Sequence, residues 1–541
     1  MKASLILRPF VGTKSDAQHG TAPQRQTRCE TWQSPHGRPA MFETWRGRTL
    51  RRCLGIGLCL FSLHLTVAPA QDLTPGTTWL YQLTEGSQII DDCPICDRLP
   101  IVEPIRGTFE LRLLQQNPLF TDYAIENLWF TNASATGRTY RLAGRGVLEI
   151  GGEIAVRQSL FLNVYIYNGI TNDPVLLTTN STGVTRLWPM VQIDADQTNG
   201  TLVQQYHLDL NAAPLREMWF STTEDFTAGI WGTPTNLVSR GDLLSIQGRR
   251  VRSNAQLARL LGVMPPVPDL GLKDFDLRAG GEIAFSFNEA VWSETLGRLL
   301  LPGDLLSDQG LVLRSNQGLI AAFNPETVPA EGVGLMAVQT MVNGETWFSV
   351  ATNFFSKSLG TTVMPGDLLS DAGAVVRGNA QLLSRFKPTD PATNAGLTAV
   401  YVWPSAEIWF CTATAFSGAN AAHYDAGDLL SDQGYVVYRN AELLAAFAPL
   451  KTNAPLDGLW LVTDTIPMHA PPVMRSPRPL NQPPTSFAFT WQGEGQVFQL
   501  ERSTNVGGPY LPAGPIVPDT AAVDNATLDA PGSRFYRVRQ W

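Results

Sequence analysis

The sequence predicts an all-β protein with three parts: an N-terminal β-sandwich or barrel, a central unit written four times, and a small C-terminal β-sandwich. Three observations carry this reading. Of 541 residues 44% are hydrophobic and 16% charged, the balance of a folded chain. The 47 glycines and 38 prolines punctuate short alternating runs, as strands joined by turns require. The octet GDLLSDQG at 303–310 recurs at 427–434, with GDLLSIQG at 241–248 and GDLLSDAG at 366–373. A reactive site is normally built once, so a motif written four times points to architecture.

The chain opens on an address. Arg46, Arg48, Arg51 and Arg52 precede an apolar run that ends in Ala68-Pro69-Ala70. That is the order of basic region, apolar core and A-x-A site found in secretory signal peptides. We expect translation to start at Met41, with 1–40 an upstream extension, 41–70 the signal peptide and the mature protein beginning at Gln71. No later stretch is apolar for the roughly twenty residues that a helical span needs, so no transmembrane segment is expected in the mature chain. From Gln71 onward 30 basic residues stand against 45 acidic ones, a net charge of −15. Such a surface repels phosphate backbones, which argues against a nucleic-acid partner and a polybasic membrane role.

Three cysteines lie beyond the leader: Cys93, Cys96 and Cys411. In an exported protein the C-x-x-C of DDCPICDR most simply closes a local disulfide, Cys93–Cys96. A metal half-site or a redox pair is the alternative. Zinc needs further ligands, which only His207, His423, His469 and the distant Cys411 offer, and Pro100 and Pro104 suit a pinned loop better than the helix of a redox site.

Residues 71–212 contain TFELRLL, YRLAGRGVLEI, SLFLNVYIYNG and LVQQYHLDL, period-2 runs of an antiparallel sandwich or barrel. Residues 213–465 repeat every 61–65 positions. Each copy has a Glu-led aromatic strand (Glu217, Glu282, Glu345, Glu407), an aromatic nine or ten residues on (Phe226, Trp292, Phe354, Phe416), and the GDLLS block with Asp242, Asp304, Asp367 or Asp428. Twelve residues after each Asp stands Asn254, Asn316, Asn379 or Asn440, an interval that never varies. The GDLLS segment and the run after it predict a β-hairpin, and the Asn suits an N-cap for a helix of about two turns. EIWFC is apolar on both faces, so each small sheet should be flanked on both sides, as in a β-propeller-like ring or an open repeat array. Copies two to four are preceded by GLKDFDL, GLMAVQT and GLTAVYV. The first copy lacks this strand, and an orphan GLWLVTD stands at 458–464. Pairing the orphan with the first copy closes a ring of four four-stranded sheets. Residues 466–484 read as a Pro-rich linker, and 485–541 as a fibronectin-like sandwich ending at 535–538.

With GLxAV, GEIWFS-like and GDLLS units and the terminal LERSTN…RFYRV, the chain resembles a group of exported bacterial proteins built from these repeats and closed by a fibronectin-like domain. The resemblance covers most of the mature chain. It implies secretion to the medium or cell envelope and a repeat β fold, but no substrate and no catalytic residue. Ala284 in place of Trp and Cys411 in place of Ser depart from the pattern and argue against a fourfold-equivalent site.

The acidic sets invite a Ca²⁺ reading: Glu217, Glu282, Glu345 and Glu407, or the GDLLS aspartates with Asp308, Asp371 and Asp432. Ile246 breaks the last set in the first copy, and no D-x-D-x-D spacing occurs, so turn aspartates accepting backbone N–H groups are the better reading and no cofactor is expected. No G-x-S-x-G or H-E-x-x-H string is present. His423, beside Tyr424 and Asp425, reads as a solvated loop histidine. Trp231, Trp403 and Tyr424 differ between copies and could form a recognition surface on the repeat scaffold or pack beneath its loops. The expected function is a secreted or cell-surface binding or structural protein with a carbohydrate or protein ligand. The alternative is an extracellular carbohydrate-active enzyme with paired carboxylates in the first region or the ring's central channel.

Overall fold

The computed structural model describes residues 78–132, 138–152, 156–179, 188–229, 237–390, 393–450, 454–464, 472–480, 486–525 and 534–541. The signal peptide, the Met41 start and Trp231 lie outside them.

The first region is a closed barrel of nine strands: β1 (Thr78–Leu83), β2 (Gln88–Asp92), β3 (Ile101–Gln116), β4 (Phe120–Asn132), β5 (Arg141–Gly151), β6 (Arg157–Tyr167), β7 (Asn172–Thr179), β8 (Val191–Gln197) and β9 (Gln205–Ala213). β3 to β9 form an antiparallel meander. β1 and β2 follow one another along the gap between β3 and β9 and pair with both. Closure removes the open edges that would recruit other chains. The alternation of each strand sets its inside: in β6, Leu160, Leu162, Val164 and Ile166 are buried while Phe161, Asn163 and Tyr165 are exposed. Each buried aliphatic contributes about 1.5–3 kcal/mol. Tyr81, Phe109, Tyr123 and Phe130 complete the filling. A cavity of about 10 Å³ lies among Phe109, Ile125, Leu148 and Leu162. It is too small for a ligand.

The repeats form four sheets of four strands. Their inner strands are Leu272–Arg278, Ala337–Thr340, Ala399–Val402 and, for the first sheet, Leu456–Thr463. The orphan segment pairs antiparallel with β10 (Leu215–Thr222), so that Trp219 faces Trp460 with ring centroids 5.6 Å apart. The inner strands pack around one axis, Leu456–Thr463 against both Leu272–Arg278 and Ala399–Val402. The ring is therefore closed, and the open array is excluded. Both leucines of every GDLLS block are buried, as a strand flanked on two faces demands. The helical segments of copies two to four staple each copy to the next through aromatic edges: Phe323 on Phe354 at 5.8 Å, Phe386 on Phe416 at 6.0 Å, and Phe447 on Phe226 at 5.5 Å across the closure.

The asparagines differ from expectation. The N-caps are Ser253, Ser315, Gly378 and Arg439, and each Asn is the first helical residue. Its backbone N–H donates to the Asp twelve residues earlier, at 3.1, 2.9, 3.0 and 2.9 Å in copies one to four. Its side-chain oxygen accepts the N–H of Leu270, Val333, Ala395 or Ala454 in the approach to the next inner strand. The Asp thus supplies the acceptor for the helix end, which frees the Asn to tie each helix to the following sheet.

At the C-terminus two small sheets enclose Phe489, Trp491, Phe498, Leu500 and Val538. Part of the Pro-rich segment belongs to them: Val473–Met474 and Arg478–Pro479 pair with Phe487–Gln492. Prolines at sheet edges leave no ladder donor missing, so this stretch is not a free spacer. Asp464, directly after the closing strand, accepts from Arg216 Nε at 2.7 Å, Trp541 Nε1 at 2.8 Å, Arg539 at 2.9 Å and the Leu80 amide at 3.1 Å. One buried carboxylate joins barrel, ring and C-terminal sheets.

Candidate binding site

The repeated acids are occupied by internal partners. Glu217 Oε1 accepts from Trp219 Nε1 at 2.8 Å and Ser245 Oγ at 2.6 Å, and Glu407 repeats this with Trp409 at 2.9 Å and Ser431 at 2.8 Å. Glu345 does the same with Trp347 and Ser370, and Glu282 holds Ser307 without an indole, since Ala284 stands in the Trp position, and pairs with Arg278 at 3.7 Å. The i, i+2 spacing puts Glu and Trp on one face of the strand. Asp308, Asp371 and Asp432 each accept a backbone N–H at 3.1 Å, from Ile283, Thr346 and Ile408. The second oxygens of Asp242, Asp304 and Asp428 take Arg250, Arg298 and Arg439. Among the described residues no cluster of three or more metal-ligating side chains forms.

The ring axis holds a second set of carboxylates. Asp274 is fully buried and accepts the Phe275 amide at 2.7 Å and the Val338 amide of the neighbouring inner strand, while Asp276 accepts Thr340 N–H at 2.8 Å. Gln339 bridges onward to the Val402 amide at 2.6 Å, and Thr398 to the Leu456 carbonyl at 2.8 Å. Burial raises all three axial aspartates: Asp274 well above its ordinary value, Asp276 to about 6, and Asp457 to about 7 despite Lys273 at 3.3 Å. Gly458 is required here, since a Cβ on it would lie 2.7 Å from the Asp274 carboxylate and 2.9 Å from Ser221 Oγ. The ring's central channel is one of the two places, with the first region, where the carbohydrate-active alternative puts its paired carboxylates; the acids found there are buried and brace the ring. Cys411 is buried beside them, its thiol pushed up by burial.

Of the copy-specific residues, the two described ones, Trp403 and Tyr424, pack against ring aromatics rather than forming an open surface. Trp403 is buried, edge-on to Trp409 at 4.9 Å. Tyr424 stacks on Phe416 at 4.9 Å and meets Phe386 at the same distance. His423 is exposed, 3.1 Å from Asp425, as a solvated loop residue would be. In the barrel, Cys93 and Cys96 are bonded, and the Ile95 amide donates to the Leu202 carbonyl at 3.2 Å, pinning the loop after β2 against the β8–β9 turn.

Among the described residues Trp129, Phe161 and Tyr165 are exposed on the outer face of the barrel, where no sequence motif marked them, while Trp292 and Phe355 are exposed singly on the ring. Register places Trp129 on β4 beside Ala143 on β5, Ala143 beside Tyr165 on β6, and Tyr165 beside Pro174 on β7. Trp129 and Tyr165 are each more than half exposed. Two strand spacings put them about 10 Å apart with the small Ala143 between. The next row pairs Arg145 with Asn163, and the one after pairs Val147 with Phe161, itself about half exposed. Arg145 makes no ion pair with any described residue. At the barrel end beyond Tyr165, Arg138, Thr139, Arg141, Tyr167, Asn168, Gly169 and Ile170 line a pocket of about 400 Å³. The period-2 outward positions were visible in the sequence; their alignment across four strands was not.

No family model matches the chain, and no curated protein matches it. Among solved structures the chain is similar to PorZ, described as an essential bacterial surface component of the type-IX secretion system of Porphyromonas gingivalis. The two share 10% identity over 76% of this chain and 72% of that one, with a TM-score of 0.16, a superposition too loose to carry an argument. No described helix is long and apolar enough to cross a membrane.

Proposed function

We propose that the protein is an exported binding protein that holds a glycan on the outer face of its barrel, with the ring and C-terminal sheets as a rigid scaffold. The single observation that carries this is the row of Trp129 and Tyr165 flanking Ala143, with Arg145 and Asn163 in the adjoining row and Phe161 beyond. Sugar rings present apolar C–H faces that stack on exposed aromatic rings, and their hydroxyls pair with planar amide and guanidinium groups. Both kinds of partner converge on this face. Aromatics held on strands lose little freedom on binding, and Trp129 and Tyr165 stand exposed together in one row rather than singly. The basic, apolar and A-x-A order of 41–70 supports export.

A glycan array followed by calorimetry on the best hit tests the reading. Trp129→Ala and Tyr165→Ala should each weaken binding at least tenfold, and Arg145→Ala severalfold, with the melting temperature unchanged because all three positions are exposed. Binding that survives loss of both aromatics, or a folded protein that retains no glycan at all, overturns it.

A further inference from the structure

We propose that the barrel end formed by the loop after β2, the β6–β7 turn and the β8–β9 turn docks on a phospholipid surface. Ile95, Leu99, Ile170, Leu202 and Val203 stand on these loops with 63%, 88%, 83%, 68% and 59% of their surface exposed. The meander puts the three loops at one end, and direct bonds tie them together. The Ile95 amide meets the Leu202 carbonyl, and Asn168 Nδ2 donates to Tyr206 Oη at 3.1 Å. Single exposed aliphatics are ordinary, but five on neighbouring loop tips are not.

The loops are held rigid in this exposed arrangement. Cys93 is bonded to Cys96, and its amide is held by Asp92 Oδ1 at 2.8 Å. Asn168 Oδ1 accepts the amides of Ile170 at 3.0 Å and Thr171 at 2.9 Å. Little conformational freedom is left to lose on docking.

The chemistry favours lipid over protein. A protein interface is enriched in aromatics and Met at its core, whereas these tips are aliphatic, separate and convex, a shape that suits insertion among acyl chains. The 400 Å³ pocket lies within the same end, with Ile170 on its lining beside Arg141 and beside Arg138, whose guanidinium pairs with the buried Asp91 at 3.0 Å. Arg141 makes no ion pair with any described residue and lies over the Tyr167 ring at 5.9 Å. A guanidinium pocket of this kind receives a headgroup phosphate.

The test is flotation of the exported protein with vesicles of phosphatidylethanolamine and phosphatidylglycerol. The wild type should float with the vesicles. The triple variant Ile95→Ser, Leu99→Ser, Leu202→Ser should lose at least tenfold in partitioning, and Arg141→Ala severalfold, with unchanged melting temperatures. Trp129→Ala should float like the wild type, which separates this site from the glycan face. A wild type that does not float, or a triple variant that floats equally well, overturns the proposal. So does a lipid-free dimer that the triple variant converts to monomer, which would make this end an interface between copies of the chain.

Discussion

Asp304 Oδ1 accepts the backbone N–H of Asn316 at 2.9 Å, and Asn316 Oδ1 in turn accepts the amide of Val333 at the same distance. This two-step relay runs from hairpin to helix to the next sheet and recurs in all four copies. Asn316→Ala leaves the Val333 amide buried without its acceptor, at a cost of about 1–3 kcal/mol. Asp304→Ala removes the acceptor at the helix end and strands Arg298 as well, so the larger loss is expected there. Urea denaturation at constant slope measures both.

Leu305 is buried on the face opposite Leu306. Leu305→Ala should cost about 2–5 kcal/mol through lost burial and the cavity left behind. A drop in melting temperature of only a degree or two would mean that the hairpin relaxes into the space.

Closure makes the first and fourth copies dependent on the same strand. Removing 456–464 takes away the partner of β10 and the Asp464 junction together. Hydrogen exchange should then rise in 215–252 as well as in 399–438, rather than in the fourth copy alone.

The axial acids set an unusual pH dependence. Asp276 and Asp457 have folded values raised by burial, to about 6 and about 7. Between these values and the ordinary carboxylate range the folded state binds more protons than the unfolded one, so stability falls as pH rises from about 4 to about 7. Asp464 acts in the opposite sense: burial alone would raise it, but Arg216 and Arg539 hold it below its ordinary value. Its contribution is present above the unfolded value and is lost as pH falls through the lower folded one. On these groups alone the melting temperature should peak near pH 4, and Asp457→Asn should flatten the fall between about pH 4 and about 7.

Much of the architecture was legible because repetition makes position readable. The invariant spacing from Asp to Asn, the apolar pairs in GDLLS and the orphan GLWLVTD together announced four sheets and the strand that closes them. The role of Asn316 was misread because an Asn at a helix start ordinarily caps it. Here a carboxylate twelve residues away already holds the backbone N–H, and only the folded hairpin brings it there. For Trp403 and Tyr424, which vary between copies, the sequence left a recognition surface and packing beneath the loops both open, since variation marks packing differences as readily as ligands, and the structure shows the packing.

The sequence by itself determined the elements: period-2 alternation says which side of a strand is apolar, Gly and Pro say where it ends, and repeats say how often the unit recurs. Those signals are local, written within a few residues. Which strands become neighbours is decided by pairings over long separations, such as β10 with Leu456–Thr463 or β9 with β1, whose worth depends on the whole core closing at once. Trp129, Arg145 and Tyr165 are thus unremarkable outward residues on three separate strands until register lays them side by side. A face is a property of register, and only the tertiary structure sets it.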